Sequence, residues 1–465
     1  MSESLFENFN PVSAKAWKQK IQVDLKGEDY NQNLIWSSPE GIDVLPFYHR
    51  DQITDKDSSI PGQPDLWHVC QDIYIDNEMV ANKLALKALE AGVESICFIA
   101  HKPFGIPKVF KGLMTNSLTF YFRLEFLSEP FLLNLTAYLK DCKAFINVDI
   151  LGQLLGTGNW FSTKAQDHHV LNTLLLKAPK GISVLGADLS HYQNTGANMV
   201  QQLAYGLGHI NEYFNHCYNS ESLKEIMQDH NNAISVLNIT LAIGSNYFFE
   251  IAKIRALRKL YALLASEYGF NPECHIFAKP SKRNKTLYDY NVNMLRTTTE
   301  CMSAVLGGAN VISNRAYDSI YHKSNAFAER IAKNQLLILK KESYFDAVNN
   351  ASDGAYYIES LTQQLADKAL VLFKDIEANG GFFKQLNKGI VQKKIKESAQ
   401  QEQTLFDKGD LKLLGTNMHG NENDRMKDEL ELYPFLKNNT RKTSIEPLIE
   451  RRLAETIEQK RLNNE

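Results

Sequence analysis

From about residue 66 to 315 the chain repeats one pattern. Short apolar or β-branched runs alternate with longer stretches whose apolar residues recur at helical spacing. The runs Ser95–Ala100 (SICFIA), Ala144–Ile150 (AFINVDI), Ile182–Ala187 (ISVLGA), Ile234–Ile243 (ISVLNITLAI), His275–Ala278 and Asn310–Ser313 predict strands. Between them, Met79–Ala91, Met199–Phe214, Tyr247–Tyr268 and Asn291–Leu306 predict amphipathic helices. Strands joined through helices pair in parallel, because each connection must cross over to return to the same edge. This many units over about 250 residues favours an α/β fold of the (β/α)8 barrel type over an open sheet.

The flanks read differently. Pro11-Val12-Ser13 offers a helix start for Ala14–Leu25, and Lys26-Gly27 ends it. Trp17, Trp36, Pro46 and Tyr48 are apolar anchors without a local core, so residues 1–60 read as an arm for subunit contact. Residues 51–65 read as a loop. The barrel is expected over 61–345, and residues 346–420 as its helical continuation. A charged linker is expected over 421–465, ending in a helix at Ile445–Arg461. Residues 316–395 read as helical, with a turn at Asp353-Gly354 and a stop at Gly380-Gly381.

Composition narrows the class. At 465 residues the chain can bury a large core, and 44% hydrophobic with 23% charged residues is ordinary for a globular protein. A net charge of −3 makes no electrostatic case for nucleic acid. Six scattered cysteines without a Cys-x-x-Cys pair argue against structural zinc and a disulfide framework. MSESLFENFNPVS has neither the basic region nor the apolar core of a secretory signal, and no apolar run is long enough to span a bilayer. A cytoplasmic location is expected.

Several segments then go beyond composition. Trp17, Asp24-Leu25-Lys26-Gly27 and Pro46-Phe47-Tyr48 stand in the arm. Phe248–Arg258 (FFEIAKIRALR) and Asp289–Thr298 (DYNVNMLRTT) stand in the barrel region. Arg330–Asn334 (RIAKN), Gly354–Glu359 (GAYYIE) and Ile376–Gly381 (IEANGG) follow. In this order they resemble the methylmalonyl-CoA mutase family, whose members carry out radical chemistry with adenosylcobalamin. The resemblance implies a barrel, an arm that wraps a partner subunit, and a reaction interconverting methylmalonyl-CoA and succinyl-CoA.

Departures from the family matter as much. Its cobalamin domain carries Asp-x-His-x-x-Gly. The near-match here, Asp167-His168-His169, has Asn172 in place of the glycine and lies inside the barrel region, so it reads as accidental spacing. Val170–Lys180 lacks the Asn-Asp-Ile-x-Lys-Glu segment of the catalytic chain. Pro280–Asn284 (PSKRN) replaces its Thr-Ser-Gly-Trp and looks like the family's small subunits. The resemblance therefore implies a non-catalytic small subunit beside a large (α) subunit, with adenosylcobalamin on the large subunit and none on this chain. Two alternatives stand beside it. One is a catalytic barrel served by a separate cobalamin-binding chain, and the other a non-catalytic acyl-CoA-binding assembly factor.

Three residues are singled out. His191, in His-Tyr-Gln-Asn-Thr-Gly-Ala, occupies the position of the family's substrate-polarising histidine and follows a predicted strand, as barrel active-site residues do. With the other catalytic motifs missing, it reads as vestigial. Arg255 and Arg258 could hold phosphates of coenzyme A, or form structural ion pairs. His275 reads as a structural histidine. Gly152–Gly158 (GQLLGTG) lacks the end of a phosphate loop and reads as a plain loop. No paired carboxylates, Gly-x-Ser-x-Gly or His-Glu-x-x-His stand out.

Overall fold

Eight parallel strands close into a barrel in chain order. They are β1 His68–Tyr74, β2 Ser95–Ala100, β3 Thr119–Leu124, β4 Lys143–Val148, β5 Ile182–Asp188, β6 Asn238–Ile243, β7 His275–Pro280 and β8 Val311–Ser313. β8 pairs with both β7 and β1, which completes the ring. The computed structural model describes residues 10–52, 59–113, 118–436 and 440–465. The first nine residues and 53–58 of the expected loop therefore lie outside the described residues.

Strand periodicity sorts the side chains. In β2, Ile96 and Phe98 face outward into the large core between barrel and helices. Cys97 and Ile99 face inward, into a separate core inside the barrel. The helix Tyr247–Tyr268 packs on Tyr356–Ala378, and both pack on Met199–Tyr218. Tyr356–Ala378 stops at Gly380-Gly381 as expected. In the arm, the helix Ala14–Asp24 has no buried residue, whereas Ile42 is fully buried in the main core.

Several elements depart from expectation. β1 and β3 are not among the predicted strands. Each places a charged residue, Asp72 or Arg123, in an otherwise apolar run. The proposed strand start at Ile234 is a short 3-10 turn, Ala233–Ser235, and β6 begins at Asn238. Within 316–395 the helix begins only at Ala326, after turns, whereas the break at Asp353-Gly354 between Ala326–Lys341 and Tyr356–Ala378 is the expected one.

Two corrections bear on the site. Gly152–Gly158 is not a loop but lies in and caps the helix Ile150–Thr157. Asp149 accepts the Gly152 N–H at 2.7 Å, which supplies the start signal. Gly158 ends the helix with φ +78°, a left-handed conformation that glycine adopts without strain. The tail helix covers only Glu455–Leu462. Residues before it form an extended strap. Ser444 and Ile445 donate to Gly158 O at 2.9 and 3.2 Å, Leu448 to Leu155 O at 2.7 Å, and Arg451 to Asn194 O at 3.1 Å. These bonds replace helical ones, and Pro447 could not have donated to a helix.

All six cysteines are buried, and among the described residues none forms a disulfide. Among the described residues no helix is long and apolar enough to cross a membrane.

Candidate functional site at the barrel mouth

The inward-facing residues change character from the lower to the upper ends of the strands. Near the N-terminal ends they are Cys70, Cys97, Tyr121, Phe145, Phe277 and Val311, packed as one cluster. The Tyr121 and Phe145 rings stack at 5.0 Å, and the Phe145 ring lies 4.2 Å from His275. Tyr121 Oη and His275 Nε2 share a hydrogen bond of 2.9 Å. This layer fills the lower barrel. Burial drives the His275 pKa well below its ordinary value, and the charges of Lys143 and Arg258 add to the effect. His275 is thus a neutral structural residue.

One layer higher the inward residues are polar: Asp72, Arg123, Asn147, Thr240, Lys279 and Ser313. Above the aromatic floor lies a cavity of about 990 Å³, with Cys97 and Phe277 at its base. It opens at the C-terminal ends of the strands, where barrel sites form. Strap residues Arg441 and Pro447–Glu450 make part of its wall. Asn147 adopts φ +57° at a bulge where the β4–β5 register shifts. A Cβ at Gly186 would come within 2.8 Å of Asn147 Cα, so the bulge needs glycine on the neighbouring strand.

Charges at the mouth are mostly matched. Lys279 pairs with Asp72, which also accepts from Ser313 Oγ at 2.8 Å. Burial works to raise the Asp72 pKa, but Lys279 and Arg123 more than reverse it. Lys282 pairs with Glu450 of the strap. Burial would raise Glu450, yet Lys282 and His191 hold it at about 2. The Cys97 thiol is pushed up by burial to about 12, so it is not a thiolate at neutral pH.

His191 sits on the short helix Ser190–Asn194 directly after β5 and lines the cavity. Its Nε2 lies 3.9 Å from Asp188 Oδ2, and its buried Nδ1 has no hydrogen-bond partner. Arg255 and Arg258 are not at the mouth. Arg255 is 1% exposed and pairs with Asp353 and Glu359, tying two helices and their turn together. Arg258 donates to the carbonyls of Gly308 and Cys274, and to Asn310 Oδ1 at 2.6 Å, at the opposite end of the barrel. The structure therefore does not bring these three residues together. The residues that do converge at the mouth, Asp72, Arg123, Lys279 and Arg315, drew no attention in the sequence. Their one signal is a charge at an inward strand position or just after a strand.

A cobalamin ligand needs a histidine backed by a carboxylate. Asp167 instead accepts the N–H groups of Phe161 and Ser162 at 2.8 and 3.1 Å. The nearest carboxylate to His169 is Glu129, at 3.8 Å. The Asn172 side chain is taken by His216. These residues do not fit the group. Among the described residues no cluster of three His, Cys, Asp or Glu could hold a metal ion.

Comparison with known proteins agrees with this architecture. A family profile described as methylmalonyl-CoA mutase matches residues 136–463. The methylmalonyl-CoA mutase small subunit of Porphyromonas gingivalis is 32% identical, over 100% of this chain and 78% of that protein. Methylmalonyl-CoA mutases of Cereibacter sphaeroides and Rhizobium meliloti are each 27% identical, over 87% and 90% of this chain. The chain spans 64% and 65% of the length of those two relatives.

Proposed function

The chain belongs to the methylmalonyl-CoA mutase family, and from that premise we propose that it is the small subunit of a heterodimeric methylmalonyl-CoA mutase and is itself non-catalytic. The complex would interconvert methylmalonyl-CoA and succinyl-CoA. Adenosylcobalamin would be bound by the large subunit and would supply the radical that starts the 1,2-rearrangement. His191 would then be a vestigial residue. Arg255 and Arg258 would act as structural staples without contact to coenzyme A.

The observation that carries this reading is the filled lower barrel. Tyr121, Phe145, Phe277 and His275 occupy the axis below the cavity. An extended acyl-CoA running along that axis would have to displace a close-packed aromatic layer. That Asp167-His168-His169 does not fit a cobalamin ligand pair supports the same reading.

The arm supports a partner. Helix Ala14–Asp24 has 11 residues and buries none of them, and Trp17 and Val23 are 44% and 71% exposed. A helix that short is marginal in water unless an apolar face is covered. We assign the cover to the large subunit, with residues 1–60 as the contact arm.

Co-purification with the large subunit tests the proposal. The full chain should form a stable complex by size exclusion, and a Trp17→Asp/Val23→Asp double variant should lose it while remaining folded. An intact complex with the double variant would contradict the arm's role. No complex with the unaltered chain would contradict the proposal itself.

A further inference from the structure

The arm is seated on the barrel domain beside a carboxyl group. Trp36–Ser37 pairs antiparallel with Asp43–Val44. The turn between them closes through Ser38 N–H to Ile42 O and Gly41 N–H to Ser38 O, both at 2.9 Å. Ile42 is buried in the main core, and Trp36 meets the buried Phe249 edge-on at 5.9 Å. Glu40, at the tip, lies against the Ser38 hydroxyl and the Met199 N–H, and feels the charge of Glu250. Its Oε2 is closed off from water and has no hydrogen-bond partner.

Next to it is a buried ion pair with no donor to spare. Glu250 and Lys253 lie 2.6 Å apart. Lys253 Nζ also donates to Gln193 Oε1 at 2.8 Å, Gln202 Oε1 at 3.0 Å and Ala242 O at 2.9 Å. Its three protons are thus engaged. Lys253 attracts Glu40 through space, but Glu250 already matches that charge. The Lys368 ammonium stands beside Gly41 at an exposed position, where solvent screens it. Two carboxyl groups therefore share one buried ammonium, which favours a proton on one of them. Glu250 is held by Lys253 and by Gly244 N–H at 2.7 Å, so the proton belongs on Glu40.

The same ion pair grips the barrel mouth. Gln193 donates to Glu250 Oε1 at 3.0 Å while it accepts from Lys253, so both ends of its amide are fixed. Gln193 belongs to the helix Ser190–Asn194, which brings His191 to the cavity and takes the strap through Asn194 O.

We propose that the turn at residues 38–42 is a proton-operated latch: with Glu40 neutral it seats against the Glu250–Lys253 pair and braces the His191 helix, and with Glu40 ionised it opens more often and the brace loosens. Burial raises the Glu40 pKa above the ordinary 4.5; Ser38 and Met199 N–H oppose this, and Glu250 adds to it. The seated state therefore holds the proton more tightly. Its stabilisation is complete below the ordinary value and is lost as pH rises through the raised one. The inference concerns the chain alone and does not rest on the function proposed above.

Hydrogen exchange of the full chain from pH 5 to pH 8, corrected for the intrinsic pH dependence of amide exchange, tests it on residues 35–44 and 189–195. Protection of both segments should fall as pH rises, by at most about tenfold per pH unit, the limit for one proton. Glu40→Gln keeps the neutral shape at every pH, so both segments should stay protected and the dependence should vanish. Protection independent of pH in the unaltered chain would overturn the proposal. So would a glutamine variant that keeps the dependence or loses protection throughout. A fall over 35–44 alone would overturn the link to the His191 helix. An equal fall in β2 would mean that the whole fold loosens, and would overturn the latch.

Discussion

The phenol oxygen of Tyr121 lies 2.9 Å from Nε2 of His275, a bond that runs from the third strand to the seventh across the interior of the barrel. Phe145 stacks on both rings, at 5.0 Å from Tyr121 and 4.2 Å from His275. Together they turn what could be a channel into a packed layer. The same layer stabilises the fold and limits what the cavity above can admit.

The packing role is measurable. Phe145→Ala should cost about 3–5 kcal/mol, since it removes a buried ring from a site that is locked on several sides. Urea denaturation monitored by fluorescence would give the change. A loss below about 1 kcal/mol would mean that the layer collapses around the gap and is not the rigid floor described here.

Gly158 links the barrel to its strap. A Cβ there would lie 2.7 Å from Ile445 O, and φ is +78°. Gly158→Ala should therefore destabilise by about 2 kcal/mol or more, from backbone strain and overpacking together. Limited proteolysis should cut the variant faster within residues 440–450. Equal cutting rates would show that the strap is held without this contact.

Arg255 holds Asp353 and Glu359 at once. Arg255→Ala should cost about 3 kcal/mol, the low end for a broken buried pair, because both carboxylates retain some access to water. Equilibrium unfolding is the check. A change within about 0.5 kcal/mol would show that the pairs add nothing net.

Asp149 gives the fold an acid dependence. Burial alone would raise its pKa, but the charge of His209 and the bonds from His209, Asp188 N–H and Tyr213 hold it at about 2, against an ordinary 3.8. The unfolded chain thus takes up this proton before the folded one does. The stability it contributes, about 2 kcal/mol, is complete above the ordinary value and is lost as pH falls through about 2. Denaturation midpoints from pH 6 to pH 2 should fall less steeply in Asp149→Asn than in the unaltered chain. Parallel curves would contradict the assignment.

The alternation of strands and helices was legible because six barrel strands are continuous apolar runs. β1 and β3 were not, because Asp72 and Arg123 occupy inward positions where the mouth needs polarity, and they interrupt the apolar signal. The helix Ile150–Thr157 was hidden by its glycines, which lower intrinsic propensity. The cap from Asp149, visible in sequence only as an acid, restores it. The strap was misread as helix because its apolar spacing serves contacts with barrel loops, and backbone bonds to Gly158, Leu155 and Asn194 carry no sequence signature. His191 was found through its motif, and it does stand at the mouth. Arg123 and Arg315 belong to no sequence motif, and only the closed barrel places them at one mouth.

The most direct measurement is turnover of methylmalonyl-CoA with adenosylcobalamin, by the purified full chain alone and after mixing with the large subunit. No turnover alone, with an active complex on mixing, is the predicted result. Turnover by the chain alone would contradict the central claim, because it would require the filled barrel to admit the thioester and the chain to hold the cofactor.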